Sequence, residues 1–266
     1  AGGGAAFDPL ASGNTDVAAT IPGFIPTDQA LKTVTVSAPG ISVSSTPTVG
    51  SGLQDNGSFN LEAGNHGGLS VTVTSSDPNR ALLAKDDSTP GTASIQIPVA
   101  DGSRYGNYYV QGVEGATGSV TVTVSAPGFT DGTDTVDIVQ PALRIYGLDT
   151  STTTLSDDDP FYVQVGTPND DQSNLSRVQQ ARAGGGGLNV TVTNSDTAVG
   201  QLVTSGGSAQ SVVLAIAEGA NRTPTTVAGG GAAFDPLASG NTDVAATIPG
   251  FIATDAAMKT VVVSEE

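Results

Sequence analysis

The chain is predicted to be all-β, built of Greek-key β-sandwiches arranged end to end, and three observations carry that expectation. Charged residues make up only 13% of its 266 residues, Gly is abundant (35), Trp is absent and Met occurs once, so its cores must be filled by Val, Ile, Leu and Ala. Short segments that alternate apolar and polar side chains recur along the chain, each closed by a turn containing Gly, Pro, Asn or Asp, and no stretch holds a helical period of useful length. The chain also repeats itself. AGGGAAFDPLASGNTDVAATIPGFIPTDQALKTVTVS (1–37) returns as AGGGAAFDPLASGNTDVAATIPGFIATDAAMKTVVVS (228–264), at a constant offset of 227 and with four differences: Pro26 against Ala253, Gln29 against Ala256, Leu31 against Met258 and Thr35 against Val262.

Residues 1–37 open with a Gly-rich turn, then read as a strand from Thr15 to Ile21, a Pro22-Gly23 turn and a second alternating strand from Leu31 to Val36. One hairpin is marginally stable alone, so the segment reads as the closing strands of a preceding sandwich, here called B-type. Thr15, Val17, Ile21, Leu31, Val34 and Val36 are its candidate assembly residues. They are expected either to finish a domain within a longer chain, the preferred reading, or to pair with a neighbouring molecule by strand exchange.

Residues 38–140 read as a complete A-type unit of seven strands: Ile41 to Ser45, Ser58 to Glu62, Leu69 to Thr74, Ala93 to Val99, Asn107 to Val113, Ser119 to Ser125 and Thr133 to Val139. Turns are expected at Asp55-Asn56-Gly57, Asp77-Pro78-Asn79, Thr89-Pro90-Gly91, Asp101-Gly102 and Pro127-Gly128. Residues 141–266 read as a B-type unit and a diverged copy of the first. GGLSVTVTSSD (67–77) answers GGLNVTVTNSD (186–196), and GSVTVTVSAPGFTDGTDTVDIVQP (118–141) answers GNTDVAATIPGFIATDAAMKTVVVS (240–264). The second unit carries two insertions, around Asn169 to Gly187 and Asn221 to Ser239, expected to be surface loops. The links Ser37-Ala38-Pro39 and Gln140-Pro141 are short and stiffened by Pro, so the units should form a rod, each period advancing under about 100 Å.

The segment GSVTVTVSAPGFTDGTDTVDIV, an alternating strand, then Pro-Gly-Phe, then a second alternating strand, resembles the last hairpin of the bacterial immunoglobulin-like domains that occur in tandem in large surface proteins of the invasin and intimin kind. The resemblance covers both units, although this chain lacks a core Trp and a Cys pair and its B unit is long. It implies Ig-like sandwiches and a stalk, spacer or adhesive role outside the cell. It transfers no catalytic residue.

A search for chemistry finds little. His66, the only histidine, stands in a Gly-rich turn with no Cys or second His to join it, and reads as a solvated turn residue. The Gly runs at Gly2 to Gly4 and Gly184 to Gly187 lack the Lys-Ser/Thr ending of a phosphate loop. No enzyme is expected. Carboxylates are the one functional group in excess, and Asp157, Asp158, Asp159, Asp170 and Asp171 are candidate ligands for Ca²⁺, a hard cation that takes six to eight oxygens; no cofactor is required. The plainer alternative, that acidic loops keep a low-charge surface soluble, is preferred.

The formal net charge of −17 argues against nucleic acid as a partner, and no apolar run is long enough to insert this segment in a membrane. The expected role is therefore structural: a repeat of an extracellular or cell-surface array, a stalk or a filament, whose partners are adjacent copies of itself, end to end and laterally. The competing expectation is an adhesin module that recognises a glycan or host protein through the B-unit insertions. Tyr105, Tyr108 and Tyr109 are the clustered aromatic candidates, and an alternating Tyr pair is more often packing than recognition.

Overall fold

Alternation decides the strands. In Leu69–Ser75 the side chains of Val71 and Val73 are fully buried while Thr72 between them and Thr74 after them stay partly exposed, the period-two pattern of a sheet with one face in a core. The computed structural model describes residues 4–7 and 12–265, in which all regular structure is strand apart from three single 3₁₀ turns at Asp28–Ala30, Val227–Gly229 and Asp255–Ala257. Gly2 and Gly3 of the first Gly run lie outside the described residues.

The N-terminal strands β1 (Gly13–Ala18) and β2 (Leu31–Val36) form an isolated antiparallel hairpin. Nine strands follow before residue 140: β3 (Ile41–Ser45), β4 (Thr48–Gly50), β5 (Leu53–Leu61), β6 (Leu69–Ser75), β7 (Ala81–Ala84), β8 (Ser94–Val99), β9 (Tyr105–Gly112), β10 (Gly118–Ser125) and β11 (Gly132–Val139). They make one sheet in the order β4-β11-β10-β6-β8 and another in the order β3-β5-β9-β7. The buried cluster between the two sheets centres on Phe59, Leu61, Val73, Tyr108, Val122 and Ile138.

The remaining strands are β12 (Ala142–Tyr146), β13 (Ser151–Thr153), β14 (Asp159–Pro168), β15 (Leu175–Val178), β16 (Gln180–Ala181), β17 (Leu188–Asn194), β18 (Gly200–Thr204), β19 (Gly207–Ala209), β20 (Ser211–Ile216), β21 (Ala232–Pro236), β22 (Gly240–Thr247), β23 (Ile252–Ala253) and β24 (Met258–Ser264). One sheet runs β13-β24-β22-β17-β20 and the other β12-β14-β21-β18-β19, with β15 on β14 and β23 on β12. The first of these orders repeats its counterpart strand for strand, including the parallel pairing of an early strand with the last, β4 with β11 and β13 with β24, and the second repeats β3-β5-β9-β7 as β12-β14-β21-β18, with β15, β19 and β23 added. A second buried cluster holds Leu143, Phe161, Val192, Leu202, Phe234 and Val261.

Three expectations are corrected. Asp55-Asn56-Gly57 is not a turn but the middle of β5, paired with Val110, Tyr109 and Tyr108 of β9; Gly57 is there because the Tyr108 ring lies against it, where an added Cβ would come within 2.5 Å. The short strands β4 and β7 were not foreseen, since three residues, or the run Ala-Leu-Leu-Ala, show no alternation. The two insertions are not surface loops. The first supplies β15 and β16, and the second supplies β21, whose Phe234 is fully buried against Gly200.

Candidate functional site: the joint between the sandwiches

The insertion that reads as a loop instead binds the first sandwich. β16 pairs antiparallel with β5, Gln180 opposite Gln54 and Ala181 opposite Leu53, although the two strands belong to different cores. Leu53 is fully buried and packs into the second sandwich's cluster beside Ala181. The backbone reaches this position through Gly52 at φ +76°, a left-handed conformation that Gly adopts without strain; its N–H donates to Gly112 O at 2.9 Å and its carbonyl accepts from Arg182 N–H at 3.1 Å.

Three buried glutamines fill the joint. Gln179 accepts from Gly50 N–H (2.9 Å) and donates through Nε2 to Thr48 O (2.8 Å) and Asp55 Oδ2 (3.2 Å). Gln54 accepts from Gln111 Nε2 (2.9 Å) and Ala183 N–H (3.1 Å), and donates to Asp87 O (2.7 Å). Gln111 accepts in turn from Gly91 N–H at 2.8 Å and donates to Thr89 O at 3.0 Å. Each amide bonds with both its oxygen and its nitrogen, and a satisfied buried network of this kind favours one geometry, because any rotation of one sandwich on the other would strand donors away from water.

Two ion pairs flank the network, Arg177 to Asp55 at 2.5 Å and Arg182 to Glu114 at 2.6 Å. Burial pushes the Glu114 carboxyl up, but its hydrogen bond and charge pairing with Arg182 outweigh that and leave it below its ordinary value. A depressed carboxylate contributes stability that is present above the unfolded value and lost as pH falls through the lower folded one. Acid is thus expected to loosen this side of the joint, and Glu114→Gln, read by thermal melting, to cost under about 1 kcal/mol because the carboxylate is half exposed.

The acidic candidates do not converge. Asp157, Asp158 and Asp159 stand at the start of β14, where Asp149 and Asp235 are their charged neighbours, whereas Asp170 and Asp171 follow its end, roughly 30 Å away along a strand of this length. Among the described residues no group of three or more His, Asp or Glu could hold a metal ion. Asp171 caps its own turn, accepting from Ser173 N–H (3.1 Å) and Oγ (2.7 Å). Burial, then repulsion from Asp235 and Asp157, raises Asp158; burial, then Asp149, raises Asp159, although a 2.7 Å bond from Asp149 N–H opposes the shift. A raised folded value gives stability that is full below the unfolded value and is lost as pH rises through the folded one, the reverse of Glu114. Asp158→Asn is expected to raise the melting temperature slightly at neutral pH and to change nothing at pH 3.

His66 organises a turn: its Nδ1 accepts from Gly68 N–H (3.2 Å), so Nε2 carries the proton and donates to Ser103 O at 2.9 Å. Tyr108 is core, its hydroxyl 2.7 Å from Ser45 Oγ, while Tyr105 is exposed. An aromatic surface that the sequence reading missed lies on the second sandwich, where Tyr146 and Tyr162 approach to 5.3 Å, with Arg144 over the first ring and Arg222 over the second. Tyr146 and Tyr162 pair across β12 and β14 from 16 residues apart, a register that only strand pairing reveals.

The hairpin residues Val17, Ile21 and Leu31 are exposed, and Val34 and Val36 are partly so. Thr15, also exposed, lies opposite Val34 in the β1–β2 ladder.

No protein-family model matches the chain, and no curated protein matches it. Among solved structures it is similar to a β-glucuronidase from glycoside hydrolase family 2 (15% identity, 94% of this chain and 32% of that one, TM-score 0.30) and to the ectodomain of the teleost fish polymeric Ig receptor (7%, 85% and 98%, TM-score 0.32). It is also similar to a β-glycosidase from Bacteroides vulgatus (7%, 86% and 25%, TM-score 0.23). The chain thus spans about a third or less of either glycosidase, and likeness at these TM-scores assigns neither family nor activity.

Proposed function

We propose that the chain is a structural repeat segment of an extracellular tandem array of Ig-like sandwiches, a cell-surface stalk or an assembled fibre. The observation that supports this most is the joint. A passive linker needs no buried polar network, whereas a rod must hold each sandwich at a fixed angle to the next. Leu53 in the neighbour's core, β16 on β5 and three satisfied glutamines provide that hold. The 227-residue repeat would then set the same angle again at every period. Negative-stain imaging of the native material tests it: straight beaded threads or ordered fibres with a period under about 100 Å are expected, and flexible coils would overturn it.

A binding module is the second reading, and the Tyr146–Tyr162 surface with its two arginines is what favours it, since aromatic faces beside cations suit sugar rings and acidic groups. Glycan-array signal lost in Tyr146→Ala/Tyr162→Ala would support it; a chain that binds nothing would leave the spacer role.

A further inference from the structure

One face of the second sandwich carries unneutralised charge of both signs, and the fold itself does not call for it. On the outer side of the sheet Arg144 of β12 stands opposite Gln164 of β14, which in turn stands opposite Arg222; two residues along, Tyr146 stands opposite Tyr162. The two arginines are two strand spacings apart, roughly 10 Å, and each guanidinium lies over one ring, Arg144 at 5.3 Å from the Tyr146 centre and Arg222 at 5.1 Å from the Tyr162 centre. In the first sandwich the equivalent pair, β3 and β5, turns Ser42 and Asn60, then Ser44 and Ser58, to this side. A sandwich of this topology thus closes without arginine or tyrosine there.

Both arginines are nevertheless held in place. Arg144 donates to Gln164 Oε1 from Nε (2.9 Å) and Nη2 (2.7 Å) and to Asn174 Oδ1 from Nη1 (3.0 Å), neutral partners that orient the guanidinium and leave its charge unanswered. Arg222 is fixed through its neighbours. Val165 N–H donates to Asn221 O (3.1 Å), Thr223 N–H to Val163 O (3.0 Å), and Val163 N–H to the buried Thr223 Oγ1 (3.0 Å). Among the described residues the ion pairs belong to Arg80, Arg177 and Arg182, and neither of these two arginines forms one. With 26 acidic residues for nine basic ones, carboxylates are the plentiful partner, and this face keeps them away from its arginines.

The acids of the same face lie at the other end of β14. On β21 Phe234 points into the core and Asp235 points outward, where its Oδ2 accepts from Gln201 Nε2 at 2.7 Å. Asp158, exposed and one residue before β14, is its neighbour: burial, then repulsion from Asp235 and Asp157, raises the Asp158 carboxyl, and no cation offsets the shift. Asp158 and Gln164, the level of the arginines, are six residues apart, roughly 20 Å of extended chain and too far for the two patches to pair within one molecule.

We infer that this face is a lateral interface whose occupant is the same face of a second copy, with Arg144 and Arg222 of each copy set against Asp158 and Asp235 of the other. A two-fold axis lying in the interface and across β14 makes the pairing reciprocal and sets the β14 strands of the two copies antiparallel. An anionic glycan would answer the arginines alone and leave the acids unmet, whereas a second copy brings both charges in complementary order. The inference rests on the array reading above and supplies its lateral neighbours. One such contact is small and polar and holds two units weakly; a repeating array would sum it period by period.

Sedimentation of the full chain at up to about 1 mM tests this, since weak polar interfaces associate in that range. Dimers at about 50 mM salt that dissociate at about 0.5 M are expected, because salt screens exposed ion pairs. Arg222→Glu and Asp158→Arg change exposed residues that, among the described residues, make no side-chain hydrogen bond, so each should melt within about 3 °C of the parent. Each alone should be monomeric. Their equimolar mixture should dimerise again, because one half of the mixed interface keeps its original charges and the other half has one pair exchanged. A parent that stays monomeric at about 1 mM in low salt, dimers indifferent to salt and to both substitutions, or a mixture that stays monomeric would overturn the proposal. So would heparin, as an anionic glycan probe, bound at this face by the monomer. None of these failures touches the joint, which is read within one chain and on which the array reading rests.

Discussion

Leu53→Ala is expected to destabilise the protein by about 2–5 kcal/mol, and to do so in the sandwich to which Leu53 does not belong by sequence. The side chain is fully exposed to neither solvent nor its own core: it sits in the cluster of Leu143, Phe161 and Val165, on a strand of the first sandwich. Truncation leaves a cavity at the joint and removes apolar contact that only the joint supplies. Differential scanning calorimetry should show one coupled transition in the parent resolving into two in the variant, the second sandwich melting first. Loss confined to the first sandwich would place Leu53 in the wrong core.

Gln54→Ala should have the second large effect. The Gln54 amide satisfies the Gln111 side chain and the Ala183 N–H and is itself satisfied by Asp87, so its removal strands two buried donors at about 1–3 kcal/mol each. Gln54→Leu would strand the same donors at nearly the same volume, so it should lose as much; a well-tolerated Leu would mean that packing and not hydrogen bonding fixes the joint. Hydrogen exchange at Ala183 reads the effect directly, with protection in the parent and loss in both variants.

The all-β sandwich and many of its strands were legible because alternation is a local signal: Ile41–Ser45 and Leu31–Val36 have their predicted limits, and the Val-Thr runs of β6, β10 and β17 could scarcely be anything else. The joint was not legible, for a physical reason. Gln54 lies two residues from Gly52, beside an Asp-Asn-Gly triplet that reads as a turn, and Gln179 lies inside a segment rich in Gly, Asp and Asn. Their burial depends on a strand some 125 residues distant, and no local pattern records it. The carboxylates failed in the opposite sense. Asp157 to Asp159 and Asp170 to Asp171 are close in sequence, and β14, extended between them, holds them apart. In the hairpin the repeat itself was the signal, since the second copy buries Val244, Val261 and Val263 where the hairpin leaves Val17 exposed and Val34 and Val36 partly so.

The account's central claim is that the two sandwiches are held at one angle. The chain has no Cys, so Ser103→Cys, at a loop of the first sandwich, and Ser208→Cys, on β19 of the second, give a uniquely spin-labelled pair on exposed residues. Pulsed dipolar spectroscopy should return a single distance distribution no broader than the labels' own spread, which Gln54→Ala should widen. A broad distribution in the parent, unchanged by that substitution, would contradict the rigid joint and with it the rod.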